Sequence, residues 1–241
     1  MVRHGAAAFS LSVGLAAFGA SGAAMAQPGP GSSAPVDDGP YIRFGAGAAF
    51  VSDLEQDFTY NPNLLVIRDG TSGKVVDAGG GLTFAAALGF DYADGIRTEL
   101  EYRYTASDVD GVTQVGGQND GGALPANEDD LKAHLIMANF YFDFETQTPF
   151  TPFIGGGVGG AFVTNENAQK DAALAYQGRA GVSLDVGAGA ALSLEYVYTQ
   201  SRDLAFGPKD DAFTPTGPEG PRVDGDNYRS SSAMLSFRKR F

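Results

Sequence analysis

The chain has no cysteine and no tryptophan among its 241 residues, and only two histidines, His4 and His134. Without cysteine there is no thiol catalysis, Cys-ligated zinc, iron–sulfur cluster, disulfide or lipidated cysteine anchor. Bases are scarce too: 16 Lys and Arg against 29 Asp and Glu give a net charge of −13. That balance excludes a nucleic-acid binder, which needs a basic patch to neutralise phosphates. No apolar run reaches the roughly 20 residues of a membrane-spanning helix. The 34 glycines follow no three-residue period, so the chain is not collagenous. A hydrophobic content of 43% is too high for a wholly disordered chain.

The first 26 residues have the three parts of an export signal: Arg3 in the n-region, an apolar core from Ala6 to Phe18, and Ala24-Met25-Ala26 as a small-x-small cleavage site. Removal of residues 1–26 takes away one base and no acid, leaving −14 on the mature chain. Cleavage after Ala26 is expected, and an intact mass that begins at Gln27 in membrane-extracted protein would establish it; retention of Met1 would refute export by this signal. Residues 27–39 (QPGPGSSAPVDDG) compose a flexible Pro/Gly linker. Residues 40–241 read as one domain.

That domain repeats with a period of two. In Arg97-Thr98-Glu99-Leu100-Glu101-Tyr102-Arg103-Tyr104 every odd position is charged, and the even positions from Leu100 on are apolar or aromatic. Such alternation makes a strand with one polar and one apolar face; a helix would scatter the charge around its circumference. Segments of the same kind occupy Tyr41 to Val51, Val76 to Phe90, Leu131 to Phe144, Pro152 to Val163, Leu174 to Asp185, Ala191 to Thr199 and Tyr228 to Phe241. The count of eight is even. Short connections (Asp91 to Gly95, Glu145 to Thr151, Val186 to Ala190) alternate with long ones (Ser52 to Val75, Thr105 to Asp130, Thr164 to Ala173, Gln200 to Asn227). This pattern predicts an all-β fold, an eight-stranded antiparallel up-and-down transmembrane barrel. The faces decide its solvent. Large apolar residues share one face almost free of charge, which suits lipid, while Gly, Ala, Ser and charges share the other, which suits a narrow lumen.

At this point Gly-Ile-Arg-Thr-Glu-Leu-Glu-Tyr-Arg-Tyr at 95–104, Met-Ala-Asn-Phe-Tyr-Phe-Asp-Phe at 137–144, Thr-Pro-Phe-Ile-Gly-Gly-Gly-Val-Gly-Gly at 151–160 and the terminal Phe241 resemble the OmpA-like, opacity-type family of eight-stranded outer-membrane barrels. The resemblance covers Pro40 to Phe241. It implies residence in the outer membrane of a Gram-negative bacterium, without the peptidoglycan-binding module of full-length members. It also implies a C-terminal insertion signal, Phe237 and Phe241 with Leu235 and Ala233, read by the barrel-insertion machinery. Lys239 departs from that pattern, standing where an aromatic is usual. Its aliphatic stem lets it snorkel to the interface.

Motifs for chemistry fail on context. Gly155, Gly157 and Gly160 spell G-x-G-x-x-G, but inside a strand rather than at the start of a helix, so no nucleotide site is expected. Asp108-Val109-Asp110-Gly111 begins like a calcium loop but lacks the closing Glu. No cofactor or metal is expected. A lipid-modifying enzyme would have to rely on His134, with Ser107 or Glu128 to Asp130 nearby, and is the least favoured reading. Arg43, Arg97, Glu99, Glu101, Arg103, Arg179, Asp185, Glu195 and Arg238 are expected to face the lumen and to pair, because unpaired charge in a narrow interior costs several kcal/mol per group. Closure of the channel by this set is favoured over a small diffusion pore. The long loops carry −12 of the mature −14, with Asp108, Asp110, Glu128, Asp129 and Asp130 as an acidic cluster. The expected function is non-enzymatic: envelope integrity and presentation of surface loops, as in adhesion or a surface antigen. The expected partners are outer-membrane lipid and lipopolysaccharide, and a host or surface ligand at the loops.

Overall fold

The computed structural model describes residues 38–59, 71–92, 94–117, 120–124, 131–164, 170–206 and 222–241. The expected signal sequence lies outside them, as does the linker up to residue 37. The described residues form strands and turns only: β1 (Gly39–Val51), β2 (Leu54–Thr59), β3 (Thr71–Tyr92), β4 (Ile96–Gly116), β5 (Ala123–Leu124), β6 (Leu131–Asp143), β7 (Phe150–Thr164), β8 (Lys170–Gly187), β9 (Ala190–Phe206) and β10 (Arg222–Arg240). Eight long strands pair antiparallel in a ring, β1-β3-β4-β6-β7-β8-β9-β10, and the first and last close it through Tyr41↔Arg240 to Val51↔Ser230. The short β2 lies between β10 and β3 as β1 does, and continues the line of β1 after a break at Ser52 and Asp53. The two-residue β5 adds to β4 at Val112 and Thr113.

The register fixes the shape. A path of directly paired residues runs Tyr41, Gly89, Glu99, Asn139, Gly157, Gln177, Thr199, Ser230 and returns to the first strand at Val51, ten residues beyond its start. A stagger of that kind tilts the strands by roughly 35–45° and leaves eight of them a lumen only wide enough for side chains.

The strands are longer than the alternation indicates. β3 has 22 residues and β4 has 21, whereas about ten suffice to cross a bilayer. Stretches expected as loop, among them Thr105 to Gly116 and Gln200 to Phe206, continue as paired strand. Val109, Val112, Thr113 and Val115 favour a pleated backbone although the regular alternation of charge has ended. The surplus projects past the apolar belt on the long-loop side.

The barrel is inside-out. Along β4, Leu100 is 59% and Tyr102 47% exposed, while Glu101 and Arg103 between them are 0% and 1% exposed. Phe44, Leu88, Phe140, Ile154, Leu194 and Leu235 continue the outward apolar belt round the other strands. Burial of charge beneath a continuous apolar surface is the arrangement of a protein whose solvent is hydrocarbon, and ring closure leaves no unpaired strand edge in it.

The glycine run in β7 gives the neighbouring strand its space. A Cβ on Gly155 would come within 2.4 Å of Cδ1 of Tyr141, and one on Gly157 within 2.0 Å of Oδ1 of Asn139. Both glycines face the lumen beside β6, whose larger side chains lean over them. Gly155→Val is therefore expected to displace Tyr141 and to lower stability by about 1–3 kcal/mol, as overpacking does. The urea midpoint of the folded, heat-modifiable form would measure it. In the turn between β8 and β9, Gly187, Ala188 and Gly189 all have positive φ (89°, 53° and 70°), which only glycine adopts without strain.

Candidate functional site

The lumen is filled in layers. At its centre three arginines meet three glutamates. Arg43 lies 2.9 Å from Glu99, 2.5 Å from Glu101 and 3.1 Å from Glu195, and Arg179 lies 2.5 Å from Glu101 and 3.3 Å from Glu195. Arg103 reaches Glu101 only at 3.9 Å. Its guanidinium instead donates to Oε1 of Gln177 and Oγ1 of Thr199, each at 2.6 Å, and the Gln177 amide donates to Oδ1 of Asn139. Glu99 also accepts from the hydroxyls of Tyr41 (2.8 Å) and Tyr141 (2.9 Å), and Glu195 accepts from Ser236. Partners come from both sides of the ring, so the network ties β1, β4, β6, β8, β9 and β10 together across the axis. Such charges are tolerable only because each finds an opposite charge and further hydrogen bonds.

A second set of ion pairs lies at the short-turn mouth. Arg97 holds Asp143 through two parallel contacts of 2.7 Å and lies over the ring of Tyr141 at 4.6 Å. Arg238 holds Asp91 at 2.9 Å, with Arg240 at 3.8 Å from the same carboxylate. Asp185 departs from the expected arrangement. It shares the lumen-facing parity of Ser183, but stands exposed at the rim, where its carboxylate accepts from the backbone N–H of Gly187 at 2.7 Å. Its place at the end of β8 puts the turn closer than any arginine of the central network. It lines a shallow pocket with Asp91, Arg238 and Arg240.

Beyond Arg103, toward the long loops, apolar side chains make up most of the interior, interspersed with the buried polar residues Gln56, Thr105, Ser107, Gln114 and Ser201. Leu54, Val76, Val112, Leu131, Leu135 and Met137 are among the buried residues of one cluster. Sequence reasoning missed this layer, although its signal was present. Asn139, Tyr141 and Asp143 alternate with Phe140, Phe142 and Phe144 along β6, and the same inward parity carried back gives Met137, Leu135, Ala133 and Leu131. Asp91, read as part of a short turn, was likewise missed as a lumen acid.

The remaining candidate residues are scattered. Asp108 and Asp110 lie exposed on β4 rather than in a loop; Glu128, Asp129 and Asp130 lie outside the described residues. Above the belt, burial and the nearby carboxylates of Asp53 and Asp110 raise the Asp77 carboxyl above its ordinary pKa. Among the described residues no group of three or more His, Asp or Glu could hold a metal ion. Ser107 is buried inside the barrel, whereas His134 is half-buried on the outward face and its Nδ1 lies 2.7 Å from the Tyr102 hydroxyl. The barrel wall therefore separates the two residues that a His–Ser catalytic pair would need together. Phe237 and Phe241 are exposed at the short-turn side, and the Phe241 N–H donates to the Pro40 carbonyl at 3.1 Å. Lys239 donates to the Ala188 carbonyl in the neighbouring turn.

Residues 81–206 match the family described as Surface antigen. The chain is 28% identical over 185 residues to an outer membrane protein of Gluconacetobacter diazotrophicus, an alignment covering 67% of this chain and 46% of that protein. It is 29% identical over 150 residues to the outer membrane protein PagN of Salmonella typhimurium, covering 56% and 58%. The chain thus spans less than two thirds of the length of either relative. Among solved structures it resembles Neisserial surface protein A, NspA, with a TM-score of 0.50 at 17% identity over 84% of this chain and 97% of that one. It also resembles the outer membrane protein OprG of Pseudomonas aeruginosa, with a TM-score of 0.53 at 16% identity over 83% and 95%. At such identities the likeness shows the fold, an outer-membrane barrel.

Proposed function

The chain belongs to the surface-antigen family of outer-membrane proteins, and from that premise we propose that it is a non-enzymatic barrel with a closed lumen, which stabilises the envelope and holds its long loops at the cell surface. The family match is to surface antigens, not specifically to the OmpA-like or opacity-type branch. The observation that carries the proposal is the central network. Arg43, Arg103 and Arg179 balance Glu99, Glu101 and Glu195 in charge, with the apolar layer stacked above them. An ion entering from the short-turn side meets the Arg97–Asp143 and Arg238–Asp91 pairs, then the balanced network, then a layer whose buried side chains are mostly apolar. Each stage opposes permeation by desolvation. The long-loop side, with its projecting strands, is the extracellular side, since outer-membrane barrels have short periplasmic turns and longer external loops.

Planar-bilayer recording tests closure. Purified folded protein is expected to give no uniform unitary conductance. Stable channels of one size would refute closure in favour of a small diffusion pore, whose ion selectivity should then change in Glu101→Gln.

A further inference from the structure

Among the described side chains, the cations outside the lumen stand at the rims of the barrel and not within the belt. On the outward faces of the long strands, Lys132, Arg202 and Arg229 lie at the long-loop side and Lys239 at the short-turn side. Lys132 is the second residue of β6 and pairs in register with Thr164, the last residue of β7. Next to it, on the same outward face, the sequence places an uncommon group. His134 pairs directly with Tyr104, their rings 5.0 Å apart, and Nδ1 of His134 lies 2.7 Å from the Tyr102 hydroxyl. Ile136 and Phe162, both exposed, form the apolar floor below.

The hydrogen bond sets the chemistry. Either group can donate in it; in the tautomer where the phenol donates to Nδ1, the imidazole hydrogen resides on Nε2 and the ring offers a donor on its other side. Lys132 adds three ammonium donors and Tyr104 a hydroxyl. Donors around a single positive charge, with no carboxylate paired to Lys132 among the described residues, suit a phosphate. Their level suits it as well, because the apolar belt ends here and lipid headgroups begin.

Electrostatics confines such contact to the cationic points of the rim. The long connections carry most of the chain's negative charge, which repels a phosphorylated surface. Contact with that surface must therefore run through local cations, within a Debye length of about 8–10 Å.

We propose that Tyr102, Tyr104, Lys132 and His134 form a binding site for a phosphate of the lipopolysaccharide glycolipid in the outer leaflet, with its acyl chains against Ile136 and Phe162. The proposal rests on placement in the outer membrane and is independent of whether the lumen conducts, so its failure would leave lumen closure untouched.

The test uses folded full-length mature protein in dodecylmaltoside micelles, titrated with bisphosphorylated lipopolysaccharide, the dephosphorylated form, phosphatidylglycerol or inorganic phosphate, with binding read by native mass spectrometry. The phosphorylated glycolipid is expected to bind at defined stoichiometry. Lys132→Gln should weaken it about fivefold, the worth of one surface lysine near anionic lipid. His134→Gln with Tyr102→Phe should weaken it further, and Lys239→Gln at the opposite rim should leave it unchanged. All these positions face outward, and retention of heat-modifiable gel mobility identifies folded variants. If Lys132→Gln does not fold, the His134/Tyr102 double variant carries the test alone. Equal binding of the dephosphorylated glycolipid, of phosphatidylglycerol or of inorganic phosphate would overturn the proposal, as would unchanged affinity in the folded variants.

Discussion

Glu101→Gln is expected to lower the stability of the folded barrel by about 3–5 kcal/mol, the cost of removing one partner from a buried ion pair. Glu101 is the hub of the lumen: one of its carboxylate oxygens lies 2.5 Å from both Arg43 and Arg179, and the other faces Arg103 at 3.9 Å. An amide at this position keeps the shape but leaves three arginines facing two glutamates, in a space that water does not reach. Charge balance, rather than any single contact, is then the quantity at stake. Glu101→Gln combined with Arg179→Gln restores the balance and should recover much of the loss. The urea midpoint of folded protein in lipid vesicles, measured for both single variants and the double, supplies the coupling energy. Costs that simply add would show that the groups act as independent contacts and that the network is not a unit.

One residue away, the expected damage has a different origin. Leu100→Arg places a charge on the lipid face of β4 near the middle of the belt, where Arg costs about 2–4 kcal/mol. This loss depends on the bilayer, so the yield of protein inserted into vesicles should fall, while a Leu100→Ala variant, which adds no charge, should still insert. Wild-type insertion of Leu100→Arg would mean that this face does not meet hydrocarbon. Leu100 and Glu101 thus probe the two solvents of one strand, separated by a single peptide unit.

The period of two made the fold legible in the sequence. In β4 the alternation of Arg97, Glu99, Glu101 and Arg103 with Thr98, Leu100, Tyr102 and Tyr104 assigns both faces without reference to any other strand. Because both solvents of the barrel impose the same period, the assignment holds wherever the two faces differ in kind. It failed where they do not. In the upper part of β6, Leu135 and Met137 point inward while Ile136 points outward, so both faces are apolar and local contrast vanishes. There only parity, carried along the strand from Tyr141, distinguishes inside from outside. Strand ends were illegible for a similar reason: Ser107 to Gly116 has no outer apolar face, since the strand has already left the membrane. Pairing across the lumen was beyond local reading altogether. Arg43 meets Glu195 because the ten-residue stagger brings β1 and β9 to a common level, and register is a property of the closed ring, not of any segment. Asp185 shows the limit of parity alone, for it has the right face but lies at the wrong height.

The single-residue alternation also bears on how the chain reaches its membrane. A protein bound for the outer membrane must first pass through the inner one, where any segment sufficiently apolar as a helix would be retained. Wound into a helix, Arg97 to Tyr104 would carry four charges into hydrocarbon, at about 2.5–3.5 kcal/mol each near the centre for Arg and Asp-like residues. The same residues as a strand hide those charges in a lumen that exists only after all eight strands have met. Apolar character is thus withheld until ring closure, and the secretion channel encounters a polar chain: the sequence passes the first bilayer because its affinity for the second is not yet assembled.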